Sequence, residues 1–130
     1  MDFIMDKPNG FQEKIVEGAG NLSGGQKQRL SITRALVRKP DIYIYDDSFS
    51  ALDMKTDALL RQALKSEVKN AVVIIVAQRV STIMGADQIL VLDEGRLAAV
   101  GRHKELLKEC PLYYEIAASQ LSEEELQNVR

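Results

Sequence analysis

Asn21-Leu22-Ser23-Gly24-Gly25-Gln26, running straight into Lys27-Gln28-Arg29-Leu30, is the most informative stretch of this chain. A serine and two glycines stand where a loop turns into a helix. Backbone N–H groups are free at a helix start, and the dipole there favours an anion. Glycine lets that backbone approach a phosphate closely. A serine-capped helix alone is a weak signal, so the weight falls on the residues downstream of it.

The helix is predicted from about Gly24 to Val37, with Ile32, Ala35 and Leu36 on its apolar face and Lys27, Arg34 and Arg38 in solvent. Lys39-Pro40 ends it, because a residue before proline avoids the helical region. Upstream, Phe3 to Phe11 reads as a helix end broken by the turn triplet Pro8-Asn9-Gly10, and Gly18-Ala19-Gly20 reads as a loop. Downstream, Ile42–Tyr45 is a short buried strand with Asp46-Asp47 at its C-terminal end. Met54–Lys69 is an amphipathic helix with Leu60, Ala63, Leu64 and Val68 on one side. Val72–Ala77 is a continuous apolar run of the kind buried on both faces of a parallel sheet. Gln88–Leu92 is a third strand, and Asp93-Glu94-Gly95-Arg96 turns it into a fourth, Leu97–Val100. Helices follow at His103–Glu109 and Leu112–Leu121, the second opened by Pro111. Strand–helix–strand–helix–strand is an α/β pattern with a parallel sheet, and in such sheets ligands sit at the carboxyl ends of strands. Asp46, Asp47 and Gln78 lie at such ends.

At 130 residues the chain is one small domain or a piece of a larger one. A net charge of −2 argues against a general nucleic-acid binder. One cysteine, Cys110, excludes an internal disulfide. The longest apolar run, Ala71–Ala77, is far short of the roughly 20 residues of a membrane helix. The N-terminus has no basic region followed by an apolar stretch, so no signal peptide is expected. The single histidine, His103, is expected at the surface.

Four ordered motifs carry a family resemblance over nearly the whole chain. Asn21–Leu36 (NLSGGQKQRLSITRAL) resembles the signature segment of ATP-binding-cassette (ABC) ATPases. Asp46–Asp53 (DDSFSALD) resembles the stretch from the magnesium-holding acid to the D-loop, Ser50-Ala51-Leu52-Asp53. Ile75–Ile83 (IVAQRVSTI) resembles the switch segment, and Ala86–Gly95 with Gly101–Leu107 resembles the C-terminal part found in exporters. Glu17 resembles the exporter loop that senses the transmembrane domain.

The resemblance implies a P-loop NTPase fold, an ABC-like parallel sheet with flanking helices. Residues 1–39 would end the helical subdomain, 40–121 would form the C-terminal part of the catalytic core, and 122–130 would be a polar tail. It implies ATP and Mg²⁺ as cofactors, with Asp46 on the metal. It implies a second nucleotide-binding domain and transmembrane domains as partners, at the cytoplasmic face of the plasma membrane. In the family, two domains dimerise head to tail, and the signature of one completes the ATP site of the other. Ser23, Gly24, Gly25 and Gln26 would therefore serve the partner's ATP.

Three departures from the family pattern matter. The catalytic glutamate position is Asp47, one methylene shorter, and positioning a water for in-line attack tolerates little such error. The switch histidine position is Gln78, which donates a hydrogen bond but carries no proton at neutral pH. No G-x-x-x-x-G-K-[ST] phosphate loop occurs: Gly20 and Gly25 have the right separation, but Gln26 follows. The chain thus looks like the C-terminal half of the domain, and like the degenerate half of a heterodimeric exporter. A truncated, non-functional remnant or a non-enzymatic docking module are the alternatives. A soluble ABC ATPase acting on DNA or ribosomes fits less well, because neither coiled-coil insertions nor basic surfaces are visible. Without its phosphate-loop strand, the sheet would leave unpaired backbone edges, so marginal stability or aggregation is expected.

Overall fold

A computed structural model of the chain describes residues 2–127. It divides into two compact units, Met1–Ile74 and Ile75–Arg130. The first opens with helix α1 (Asp2–Met5) and two one-turn 3-10 helices, Gly10–Gln12 and Glu17–Ala19. Helix α2 (Gly24–Val37) follows, then strand β1 (Ile42–Asp46) and helix α3 (Met54–Glu67). Strand β2 (Val72–Val76) crosses the boundary and pairs with β1, so β1–α3–β2 is a parallel crossover unit.

Ile32, Tyr43, Tyr45, Phe49, Leu52 and Leu64 are the buried apolar residues of this unit. Tyr43 and Tyr45 share one side of β1 and stack at 6.0 Å, and Phe49 meets Tyr45 edge-on at 5.5 Å. The helix boundaries of α2 agree with the sequence reading, as does its apolar face at Ile32. On α3, Leu64 is buried as expected, but Ala63 is exposed and Asp57 is buried instead. Asp57 and Leu64 are seven residues apart, on one helix face. Asp57 tolerates that place because Arg61, one turn on, donates to its carboxylate at 3.0 Å.

The expectation of two-face burial for the strands is not met. β1 alternates, with Ile42 and Ile44 exposed. On β2, Val72 is 58% exposed and Val76 53%. A continuous apolar run says that both faces avoid water. It does not say what covers them: here one side of β1 is covered, and on β2 only Ile75 is half-buried.

In the second unit, helix α4 (Val80–Ile83) leads to strands β3 (Ile89–Asp93) and β4 (Arg96–Gly101), an antiparallel hairpin. Glu94 and Gly95 both have left-handed backbone, φ +46° and +76°, the geometry of a two-residue hairpin turn. Helices α5 (His103–Glu109), α6 (Pro111–Ala118) and α7 (Glu123–Gln127) complete it. Of the expected polar tail 122–130, residues 128–130 lie outside the described residues. The core joins Val80, Ile89, Val91, Leu106, Cys110, Tyr113 and Ala117.

His103 is not a surface residue. It is 8% exposed, and its Nδ1 lies 2.8 Å from the Tyr113 hydroxyl. Periodicity around a lone histidine does not reveal that a helix two turns later will fold back over it. Burial, helped by the Lys104 charge, holds the imidazole below its ordinary pKa.

Candidate functional site

Ser23 caps α2 with extended backbone, and its Oγ accepts from the Gln26 N–H at 3.2 Å. Gln26 returns the bond: its Oε1 accepts from the Ser23 N–H at 2.9 Å, closing a capping box. The Lys27 N–H bonds to the Ser23 carbonyl. Ser23 and Gln26 thus fix each other, and the N–H groups of Gly24 and Gly25, in the first turn, have no intrahelical acceptor. The serine cap and an anion-facing helix start are one structure.

The two glycines do different work. A Cβ on Gly24 would meet the Ala51 methyl at 3.4 Å, an ordinary contact. A Cβ on Gly25 would meet the Ala51 carbonyl oxygen at 3.1 Å and Leu52 Cδ2 at 3.4 Å. Gly25 is small because the 50–53 segment passes across it. Gly24→Ala is therefore expected to be tolerated. Gly25→Ala should leave this unit about 1 kcal/mol less stable than Gly24→Ala, since the backbone must shift to admit the methyl. Parallel urea titrations of the two variants measure the difference.

Ser23, Gly24, Gly25 and Arg29 of α2 and its cap, with Ala51, Leu52, Asp53 and Thr56, line a pocket of about 380 Å³. Of the signature and D-loop residues named from the sequence, Ser23, Gly24 and Gly25 thus come together with Ala51, Leu52 and Asp53 in one unit. Asp53 caps α3, its Oδ1 accepting from the Thr56 N–H at 2.9 Å. The Thr56 hydrogen bonding holds the Asp53 carboxyl below the usual range. Arg29 lays its guanidinium over the Phe3 ring at 4.7 Å, while its Nε is buried without a hydrogen-bond partner. Arg29, Thr56 and Phe3 were not singled out from the sequence. Nothing in their spacing marks them, since Arg29 and Thr56 reach the pocket, and Phe3 reaches Arg29, through chain packing.

Asp46 ends β1 and is exposed. Asp47 follows in left-handed backbone, φ +47°. Gln78 lies in the second unit, exposed, with its carbonyl accepting from Gln120 Nε2 at 2.9 Å. Gln120 Oε1 also accepts from the Val80 N–H at 2.9 Å, so one side chain holds the 78–80 segment at both ends. Glycine N–H groups at the start of a 14-residue helix fit a nucleotide phosphate. For Mg²⁺ the fit is partial. Asp46 is a suitable oxygen donor, but no group of three acidic, histidine or cysteine side chains converges among the described residues. The remaining oxygens would come from phosphate and water.

Known proteins resemble this chain closely. The family model for ABC transporters matches residues 4–50. An uncharacterized ABC transporter ATP-binding protein of Mycobacterium tuberculosis is 47% identical over 112 residues, covering 86% of this chain and 19% of that protein. The chain belongs to the ABC transporter ATP-binding family. The ATP-dependent lipid A-core flippase of Chromobacterium violaceum is 44% identical over 123 residues, 95% of this chain and 21% of the flippase. The solved structure of a bacterial Atm1-family ABC exporter with ATP bound superposes with a TM-score of 0.88 at 42% identity. It covers 94% of this chain and 22% of that one. The fold is thus that of the ABC ATPase core, an α/β P-loop NTPase. The ABC chain described here spans about a fifth of the length of these relatives. Among the described residues no helix is long and apolar enough to cross a membrane.

Proposed function

We propose that this chain is the signature-bearing part of an ABC exporter's nucleotide-binding domain, acting as the degenerate member of an unequal pair. Its exporter relatives support the transport role. The observation that carries the reading is the pocket lined by the capped start of α2, at Gly24 and Gly25, together with Asp53 and Thr56. In the assembled pair this pocket would close over ATP held by a second nucleotide-binding domain. Bound ATP supplies the γ-phosphoryl group, whose transfer to water drives the transport cycle.

The chain's own residues divide by which ATP they address. Ser23, Gly24, Gly25 and Gln26 address the partner's nucleotide, and that set is intact. Asp46, through Mg²⁺, and Asp47 and Gln78 would address the chain's own nucleotide. The Asp47 side chain is one methylene shorter than the glutamate the family places there, and positioning a water for attack would tolerate little such error. Gln78 offers a hydrogen bond to phosphate but cannot take or give a proton near neutral pH. In a full-length parent domain the own site would bind nucleotide and turn it over slowly, and the site completed by the signature would carry the flux. The partners are a second nucleotide-binding domain and transmembrane domains, at the cytoplasmic face of the plasma membrane. The net charge of −2 gives no footing for nucleic acid.

The test is sedimentation of the purified chain with a complete ABC nucleotide-binding domain, with and without MgATP. Association only with MgATP, and no MgATP binding by the chain alone, is the expected result. Absence of association under both conditions refutes the reading. Tight MgATP binding by the chain alone would place a phosphate site elsewhere in it.

A further inference from the structure

The backbone of Asp47 is left-handed, a conformation that a residue other than glycine keeps only where its surroundings over-determine it. Those surroundings are specific. The Asp47 carbonyl accepts from Gln28 Nε2 at 3.1 Å, from Ser50 Oγ at 3.0 Å and from the Ser50 N–H at 3.4 Å. Two of these donors are local to the turn. Gln28 is not: it comes from α2, one turn beyond the signature. Its Nε2 also reaches Ser50 Oγ at 3.1 Å, and its Oε1 accepts from the Ala51 N–H at 3.0 Å. One carboxamide thus spends both its ends on the 47–51 segment. The donor end must face Asp47 and the acceptor end must face Ala51, an arrangement that a carboxylate, an ammonium or an apolar side chain cannot reproduce.

We propose that Gln28 is a positioning residue. It pins the turn after β1 to the signature helix, and so sets the backbone conformation from which the Asp47 carboxylate projects. The inference rests on the reading of Asp47 as the group that addresses the attacking water, and it assigns that group's geometry to a residue of the signature helix. The D-loop start is fixed by the same side chain, through Ala51.

Two variants of nearly the same size separate the bonds. Gln28→Met loses both ends, while Gln28→Glu keeps the acceptor for Ala51 and loses the donor to Asp47. On the 130-residue chain, the Asp47 Cα chemical shift reads the left-handed backbone, and amide exchange reads the Ala51 bond. Protection of the Ile32 amide reports that α2 remains packed. Gln28→Met is expected to move the Asp47 shift and to speed exchange at Ala51 about tenfold. Gln28→Glu is expected to move the Asp47 shift but keep Ala51 protected. An unchanged Asp47 shift in both variants overturns the proposal. If Gln28→Met does not fold, Gln28→Glu decides alone.

The catalytic consequence is read in an exporter in which residues 1–130 replace the matching segment and which carries Asp47→Glu with Gln78→His. There Gln28→Met is expected to lower kcat about tenfold with KM for ATP unchanged. A gain from Asp47→Glu and Gln78→His that survives Gln28→Met sinks the positioning role. The absence of any gain sinks the reading of Asp47 itself, and the positioning role with it.

Discussion

Asp47→Glu combined with Gln78→His, placed in an exporter carrying this segment, is expected to raise ATP turnover at its own site by at least about tenfold. The two substitutions repair different defects. Glutamate extends the carboxylate by one methylene toward the position a water must occupy. Histidine restores a group whose ordinary pKa, about 6.5, lets it exchange a proton near neutral pH. Each single change should give less than their product, because the water and the phosphate must be addressed together. Turnover is measured with the opposite site silenced in the partner domain, so that only the site of Asp47 contributes. No rise in the double variant would mean that these two positions are not what limits the site.

Tyr113→Ala is expected to remove about 3–5 kcal/mol from the stability of the second unit. Tyr113 is buried in the core with Val80, Ile89, Leu106 and Ala117, and its hydroxyl meets His103 Nδ1 at 2.8 Å. Truncation empties an aromatic volume and strands the imidazole. Tyr113→Phe keeps the ring and should cost only about 1 kcal/mol, the worth of one hydrogen bond. Amide exchange at Leu106 and Ala117 follows the unit without requiring the whole chain to unfold in one step. The same pair makes stability depend on pH. The folded imidazole has a lowered pKa, so between that value and about 6.5 the unfolded chain binds more protons than the folded one. Stability is therefore expected to fall as pH drops below about 6.5 and to be flat above it, and His103→Gln should abolish that slope.

Much of the secondary structure was legible because local rules enforce it. Ser23 before two glycines and a glutamine at the third helical position predicts the start of α2, and Lys39-Pro40 predicts its end. Asp93-Glu94-Gly95-Arg96 predicts the hairpin turn. The family resemblance named the signature and the D-loop, but that they meet within one unit was not legible. Twenty-odd residues separate Gly25 from Ala51, and no periodicity links them. The same limit hid Gln28 and Gln120. A glutamine that bonds to backbone across the fold has no signature in its own neighbourhood. His103 and Asp57 were hidden for the converse reason, since a polar residue is expected in solvent until a buried partner is known.

What the sequence by itself determined is therefore the set of local commitments: the caps, the turns, the apolar strands, the departures at Asp47 and Gln78, and the family. What only the tertiary structure decided is which of those elements meet. It made Gly25 a packing requirement against the Ala51 carbonyl, put Tyr113 over His103, left most of β2 uncovered, and held Asp47 left-handed through Gln28. The physical reason is range. Helix caps and hairpin turns are settled by bonds between residues a few positions apart. Contacts across the fold depend on how whole elements pack, which a short window of sequence does not encode.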